Sequence, residues 1–199
     1  MAGKQSARDR ILDAAQRIVL QKGAAHMTLD AVAAAAKMSK GGVIYHFASQ
    51  YELLRALLER FMKRVEEHRR QIAAGLPDTP ASRLKAYVLS SLSLGRETRR
   101  GAAALLATCT RQPPLVAKVR RRHCEVWREI FGGLRNPERA MIVALAVEGL
   151  WLSDLLGVSP LTSRARRRVK AILLRLADEW GVARQESKLG EKHRHKKET

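Results

Sequence analysis

Residues 28–54, TLDAVAAAAKMSKGGVIYHFASQYELL, constrain the fold more than any other stretch of this chain. Thr28 can cap a helix through its hydroxyl, and Leu29, Val32, Ala33 and Ala36 then recur at the three/four spacing of one buried face. That helix ends around Lys37 and Met38. Ser39 is the N-cap of a second, short helix, Lys40 to Phe47, whose Val43 and Phe47 stand four residues apart and anchor it inward. Gly41 and Gly42 leave its first turn almost bare of side chains. Each glycine costs a helix about 1 kcal/mol against alanine, so the pair asks for a reason, and a close approach of backbone to another surface is one. The cap-led N-terminus also offers free N–H groups and a positive dipole end, which suit a phosphate. The two helices and their tight turn form a helix-turn-helix suited to the major groove of DNA.

Length and composition agree. The 199 residues suffice for one domain of ordinary size and a small one. Proline and aromatics are few, and no alternating strand pattern bounded by Asn-Gly or Asp-Gly turns is present, so the chain is expected to be all-α. The net charge of +19 favours polyanionic partners. Its distribution is not diagnostic: residues 1–60 carry nine Lys and Arg against five Asp and Glu, and residues 61–136 carry sixteen against six. The excess does not concentrate on the helix-turn-helix, so the motif rather than the charge makes the case for DNA.

The spacing predicts helices over Ser6 to Gln21, closed by Gly23, and from Ser49 to about Ala74, with a break at Gly75 to Pro80. Further helices are expected over Ala81 to Arg96, Gly101 to Thr110, Leu115 to Phe131, Pro137 to Leu156, and from a Thr162 or Ser163 cap to Trp180. Pro113 and Pro114 are read as stopping the sixth helix. Met1 to Lys4 reads as a frayed basic arm, and residues 184–199, charged and without apolar anchors, as a disordered basic tail. The domains are then 1–48 for the helix-turn-helix and 49–183 for a helical body. The apolar run Met141 to Val158 contains Glu148, Ser153 and Asp154 and reads as a buried helix, not a membrane span. Cys109 and Cys124 lack metal-ligand spacing and read as buried, inert thiols of a reducing compartment, with a thiol sensor as the alternative. With no leader pattern, a cytoplasmic location is expected. No metal, cofactor or membrane is expected, and no acid/base or nucleophile constellation points to an enzyme.

The segment resembles the DNA-binding domain of the TetR family of bacterial transcriptional repressors. That family's run of Ala-Gly-Val-Ser, Lys-Gly, His-Phe and Ser-Lys-x-x-Leu-Leu appears here as Ala36-Lys37-Met38-Ser39, Lys40-Gly41, His46-Phe47 and Ser49-Gln50-Tyr51-Glu52-Leu53-Leu54. Lys37 stands in place of the turn glycine, so a lysine must accept a left-handed backbone. Ile44 stands where many members carry a tyrosine, with the aromatic moved to Tyr45, and Gln50 replaces a lysine that commonly meets a phosphate. The resemblance implies a homodimer on a palindromic operator, with a small-molecule effector held between the fourth and eighth helices.

Thr28, Ser39, Lys40, Gly41, Gly42, Tyr45 and His46 are the expected DNA contacts, with Lys40 reaching a phosphate or guanine edge and Tyr45 and His46 the backbone. Val169, Ile172, Leu173, Leu176 and Trp180 form a stripe at three/four spacing and are expected in a dimer interface; membership of the monomer core is the alternative. Glu148, Trp151 and Asp154 stand three residues apart, and a carboxylate among Leu, Val and Trp needs a partner. Either they face an effector cavity or they pair with arginines. Trp127 joins them as a candidate for an apolar lining, with His123 a further orienting group. The arginine triplets 120–122 and 166–168 read as solvated faces. The functional expectation is a ligand-released repressor; a charge-driven, non-specific DNA binder without a ligand is the alternative.

Overall fold

Hydroxyl side chains start six of the helices. In the computed structural model, which describes residues 5–182, Ser6, Thr28, Ser39, Ser49, Thr79 and Thr162 each accept a hydrogen bond from the backbone N–H three residues on, at 3.0–3.2 Å. Each such cap stabilises its helix by about 1 kcal/mol. The helices are α1 (Ala7–Lys22), α2 (Leu29–Ala36), α3 (Lys40–His46), α4 (Gln50–Ala74), α5 (Pro80–Ser93), α6 (Arg96–Cys109), α7 (Pro113–Phe131), α8 (Pro137–Leu155) and α9 (Ser163–Trp180). A single 3₁₀ turn, Ala24–His26, which periodicity did not indicate, joins α1 to α2. The fold is all-α, as expected. The arm at 1–4 and the tail at 184–199 lie outside the described residues.

Two boundaries differ from the sequence reading. The break between the fifth and sixth helices falls at Leu94–Gly95, so α5 is shorter and α6 starts five residues earlier than expected. Gly101, read as the start of a helix, lies inside α6. A Cβ there would meet Leu20 Cδ2 of α1 at 3.4 Å, an ordinary contact. Pro113 and Pro114 open α7 rather than close α6, because proline's missing N–H is harmless in a first turn.

Two apolar cores organise the packing. The first unites Ile11, Leu12, Ala15 and Ile18 of α1, Val32 and Ala36 of α2, Val43 of α3 and Phe47 with Leu53, Leu54, Leu57 and Leu58 of α4 and Leu105 and Cys109 of α6. The second joins Leu84 and Val88 of α5, Ile130 and Phe131 of α7, Val143, Ala144 and Val147 of α8, and Leu173 and Ala177 of α9. The first core therefore does not stop at residue 48; it takes in the first half of α4 and part of α6.

Lys37 closes α2 at φ 55 and ψ 49, the left-handed conformation that its position in the motif implied. Arg10 and Arg17 of α1 donate to the carbonyls of Ala36 and Ala35 at 3.2 and 3.3 Å, covering that helix end. Lys37→Gly should relieve the strain and raise stability by about 1 kcal/mol; chemical denaturation with an unchanged or lower midpoint would show that the lysine is accommodated without strain.

Candidate nucleic-acid interface and effector cavity

The turn that sets α3 against α2 is short and its inward anchors are complete. Val43 and Phe47 are buried, and the Arg8 guanidinium lies 5.2 Å from the centre of the Phe47 ring. With one face fixed, the opposite face must point outward. Tyr45 is 87% exposed and meets the His46 ring edge-on at 5.2 Å, while Ile44 is exposed beside it. Lys40 is exposed and pairs with Asp30 of α2 at 3.0 Å. A pair this exposed contributes little to stability, so the lysine is available to a stronger anionic partner. Thr28 and Ser39 are both exposed and both occupied as caps. The two glycines separate in meaning. A Cβ on Gly42 would come within 3.2 Å of the Ser39 hydroxyl, so that glycine serves the cap; a Cβ on Gly41 would meet nothing within 4 Å. Folding of the isolated chain does not demand glycine at 41.

Behind the head, α4 to α8 line an open cavity of about 610 Å³. Phe61, Val65, Leu106, Val126, Trp151 and Leu152 give it a largely apolar wall. Its polar groups are few and specifically placed. Tyr87 of α5 donates its hydroxyl hydrogen to Glu148 Oε1 at 2.9 Å, and His123 Nε2 lies 3.3 Å from the same oxygen. Burial first, and then the Glu148 charge, push the Tyr87 hydroxyl far above its ordinary pKa, so it remains a donor. Glu66, also in the lining, sits among Arg69, Arg70 and Arg122, at 2.9, 2.8 and 3.0 Å. These arginines hold its carboxyl below the ordinary range against the opposing effect of burial.

The expected ligand residues divide. Glu148 and Trp151 line the cavity. Asp154 does not: it binds Arg166 of α9 directly and Arg99 of α6 at 3.1 Å, tying three helices together. The pairing alternative is the correct one for this residue, since a nearly buried carboxylate flanked by two guanidinium groups has no charge left for a ligand. Trp127 stands outside the lining, its ring tilted against His123 and edge-on to Phe131 at 5.2 and 5.1 Å. Tyr87 was missed, although a tyrosine inside an apolar helix signals a hydroxyl seeking a partner. Of the arginine triplets, Arg122 and Arg166 are committed to carboxylates while their neighbours are exposed.

Asp154 gives a test of that triad. Its hydrogen bond from Arg166, above all, lowers its carboxyl pKa from the usual 3.8. A depressed folded-state pKa contributes stability that is present above the unfolded value and lost as pH falls through the folded one. Asp154→Ala should cost about 2–3 kcal/mol at pH 7, and the difference from wild type should shrink as the pH is taken below 3.8. An equal loss of thermal stability at both ends of that range would contradict the ion-pair account.

The expected interface stripe also divides. Leu173 is only 5% exposed and belongs to the monomer's own core, so it has no surface to offer a partner. Val169, Leu176 and Trp180 are half-buried against the same core, and Ile172 is exposed. The apolar surface left open lies mainly on α8 and its C-cap, where Ile142, Leu145, Leu152 and the capping Leu156 are all exposed. Of the cysteines, Cys109 is buried, which pushes its thiol pKa up, but Cys124 is exposed on α7, contrary to the reading of both as buried. Among the described residues there is no group of three or more His, Cys, Asp or Glu side chains that could hold a metal, and no helix is long and apolar enough to cross a membrane.

A capped helix-turn-helix carried on a helical body is the architecture of a bacterial transcription regulator. Residues 11–57 match the family model for bacterial regulatory proteins of the tetR family, and residues 81–178 match a tetracyclin repressor-like C-terminal domain. The chain belongs to the TetR family of transcriptional regulators. It is 26% identical over 168 residues to the HTH-type transcriptional regulator BetI of Burkholderia mallei, covering 79% of this chain and 86% of that one. Among solved structures it is similar to a TetR family member from Streptomyces coelicolor A3, with a TM-score of 0.62 and 25% identity over 86% of this chain and 98% of that one. It is also similar to the multidrug binding protein EbrR complexed with ethidium, with a TM-score of 0.61 and 26% identity over 87% and 99% of the two chains.

Proposed function

We propose that this regulator is a repressor that binds a palindromic operator as a homodimer and leaves it when a small, largely apolar molecule fills the α4–α8 cavity. One observation carries the coupling. Leu58 of α4 and Leu105 of α6 belong to the apolar core of the DNA-binding head and also line the cavity. A ligand that repacks the cavity wall therefore acts on side chains that hold the head. It shifts the population toward a conformation in which two heads no longer match successive major grooves, about 34–36 Å apart. Support for a ligand in the cavity comes from its size and lining and from the ethidium held by the similar multidrug binding protein.

Lys40, Tyr45 and His46 are the side chains assigned to DNA, with Thr28 and Ser39 presenting capped helix ends to phosphates and Gly41 allowing close approach. Dimerisation is assigned to α8 and α9 through the exposed Ile142, Leu156 and Ile172 together with the rims of Val169, Leu176 and Trp180. Large apolar side chains left exposed on neighbouring helices support an interaction site there. Selection from a random duplex pool tests the reading. Enrichment of an inverted repeat with half-sites one helical turn apart is expected. A pool without consensus, bound with a steep salt dependence, would favour charge-driven binding instead.

A further inference from the structure

We propose that the molecule taken by the α4–α8 cavity is an organic cation and that Glu148 is the counter-charge that orients it. This names the ligand class of the effector site and rests on the cavity being one. The carboxylates in and around the cavity are not equivalent. Glu66 is surrounded by Arg69, Arg70 and Arg122, and Arg122 in turn reaches Glu125 at 3.1 Å and Glu129 at 3.9 Å. That cluster sets three guanidinium groups against three carboxylates and is self-compensating. Asp154 is closed off by Arg99 and Arg166.

Glu148 differs. Among the described residues no arginine or lysine forms an ion pair with it, and no hydrogen bond reaches its Oε2. Its Oε1 is fixed by the Tyr87 hydroxyl, which orients the carboxylate without neutralising it, and His123 competes for that same oxygen. A carboxylate held in this way stands in a wall of leucine, valine and aromatic side chains with one oxygen left without a partner. An anionic ligand would meet like charge there. A neutral apolar ligand would strip water from the carboxylate and return nothing. A cation supplies the missing partner, and the rings of Phe61, Tyr87 and Trp151 in the same wall attract it further. A volume of about 610 Å³ suits a ring-bearing or alkylated ammonium of drug size.

Fluorescence titration of the full chain, free of DNA, with three dyes separates the possibilities: ethidium as cation, Nile red as neutral probe, and anilinonaphthalene sulfonate as anion. Ethidium should bind most tightly. Glu148→Gln keeps the size of the side chain and its acceptor for Tyr87, and should weaken ethidium at least about tenfold while changing Nile red less than about twofold. Tyr87→Phe keeps the carboxylate and should retain the preference for cation over anion, so the result does not depend on one variant folding. Wild-type protein that binds the anion as tightly as the cation, or a folded Glu148→Gln with unchanged ethidium affinity, would overturn the proposal while leaving the cavity a ligand site. Failure of all three dyes to bind the wild type would instead remove the effector reading, and the proposal with it.

Discussion

Ile142→Glu combined with Leu156→Glu is expected to turn a dimer into a folded monomer and to weaken operator binding more than about 100-fold. The two side chains are 58% and 64% exposed, so within a single subunit they contribute little to folding. Ile142 on α8 and Leu156 at its C-cap also stand off the cavity wall. The cost arises only if another apolar surface covers them, because each glutamate would then lie desolvated without a partner. Loss of the second head removes the high effective concentration that two linked half-sites provide. Light scattering reads the assembly and circular dichroism the fold. A double variant that remains a dimer of normal size would move the interface away from α8. Leu173→Glu could not make this distinction, since it would disrupt the monomer's own core first.

Gly181→Ala should destabilise the protein by about 2–4 kcal/mol, far more than a glycine-to-alanine change at an ordinary helix end. Gly181 is buried where α9 ends against the start of α5. A Cβ there would stand 2.4 Å from Ala81 Cα and 2.4 Å from the Ala177 carbonyl oxygen, both backbone atoms that cannot rotate away. Backbone retreat is restrained on the other side, where Arg135 N–H donates to the Val182 carbonyl at 2.9 Å. Urea denaturation gives the test, and a change below about 0.5 kcal/mol would show that α5 and α9 can separate freely at this contact.

What could be read from the sequence was what local chemistry determines. The caps at Thr28, Ser39 and Ser49 and the inward Val43 and Phe47 are set by neighbours within four residues, and the head follows from them, whereas the left-handed Lys37 was implied by the family motif. The α9 stripe shows the limit of periodicity. Three/four spacing reveals an apolar face without saying what covers it, and here Leu173 turns to its own core while Ile172 stays outside. Glu148 and Asp154 look alike as carboxylates on an apolar helix. Their fates separate because Tyr87 lies 61 residues away from the first and Arg99 lies 55 from the second. Gly181 could be read only as a helix end, because beside the nearby Ala177 carbonyl the atoms that exclude a side chain belong to Ala81, at the other end of the domain's sequence.

The proposed DNA-reading surface is α3. Fluorescence anisotropy with the enriched inverted repeat, at fixed salt, tests it on Lys40→Ala and Tyr45→Ala. Both side chains are exposed and neither supports the core, so folding and dimerisation should be unchanged. Each variant should bind the repeat about tenfold or more weakly than wild type. Unchanged affinity in both would contradict the assignment of α3 as the reading helix.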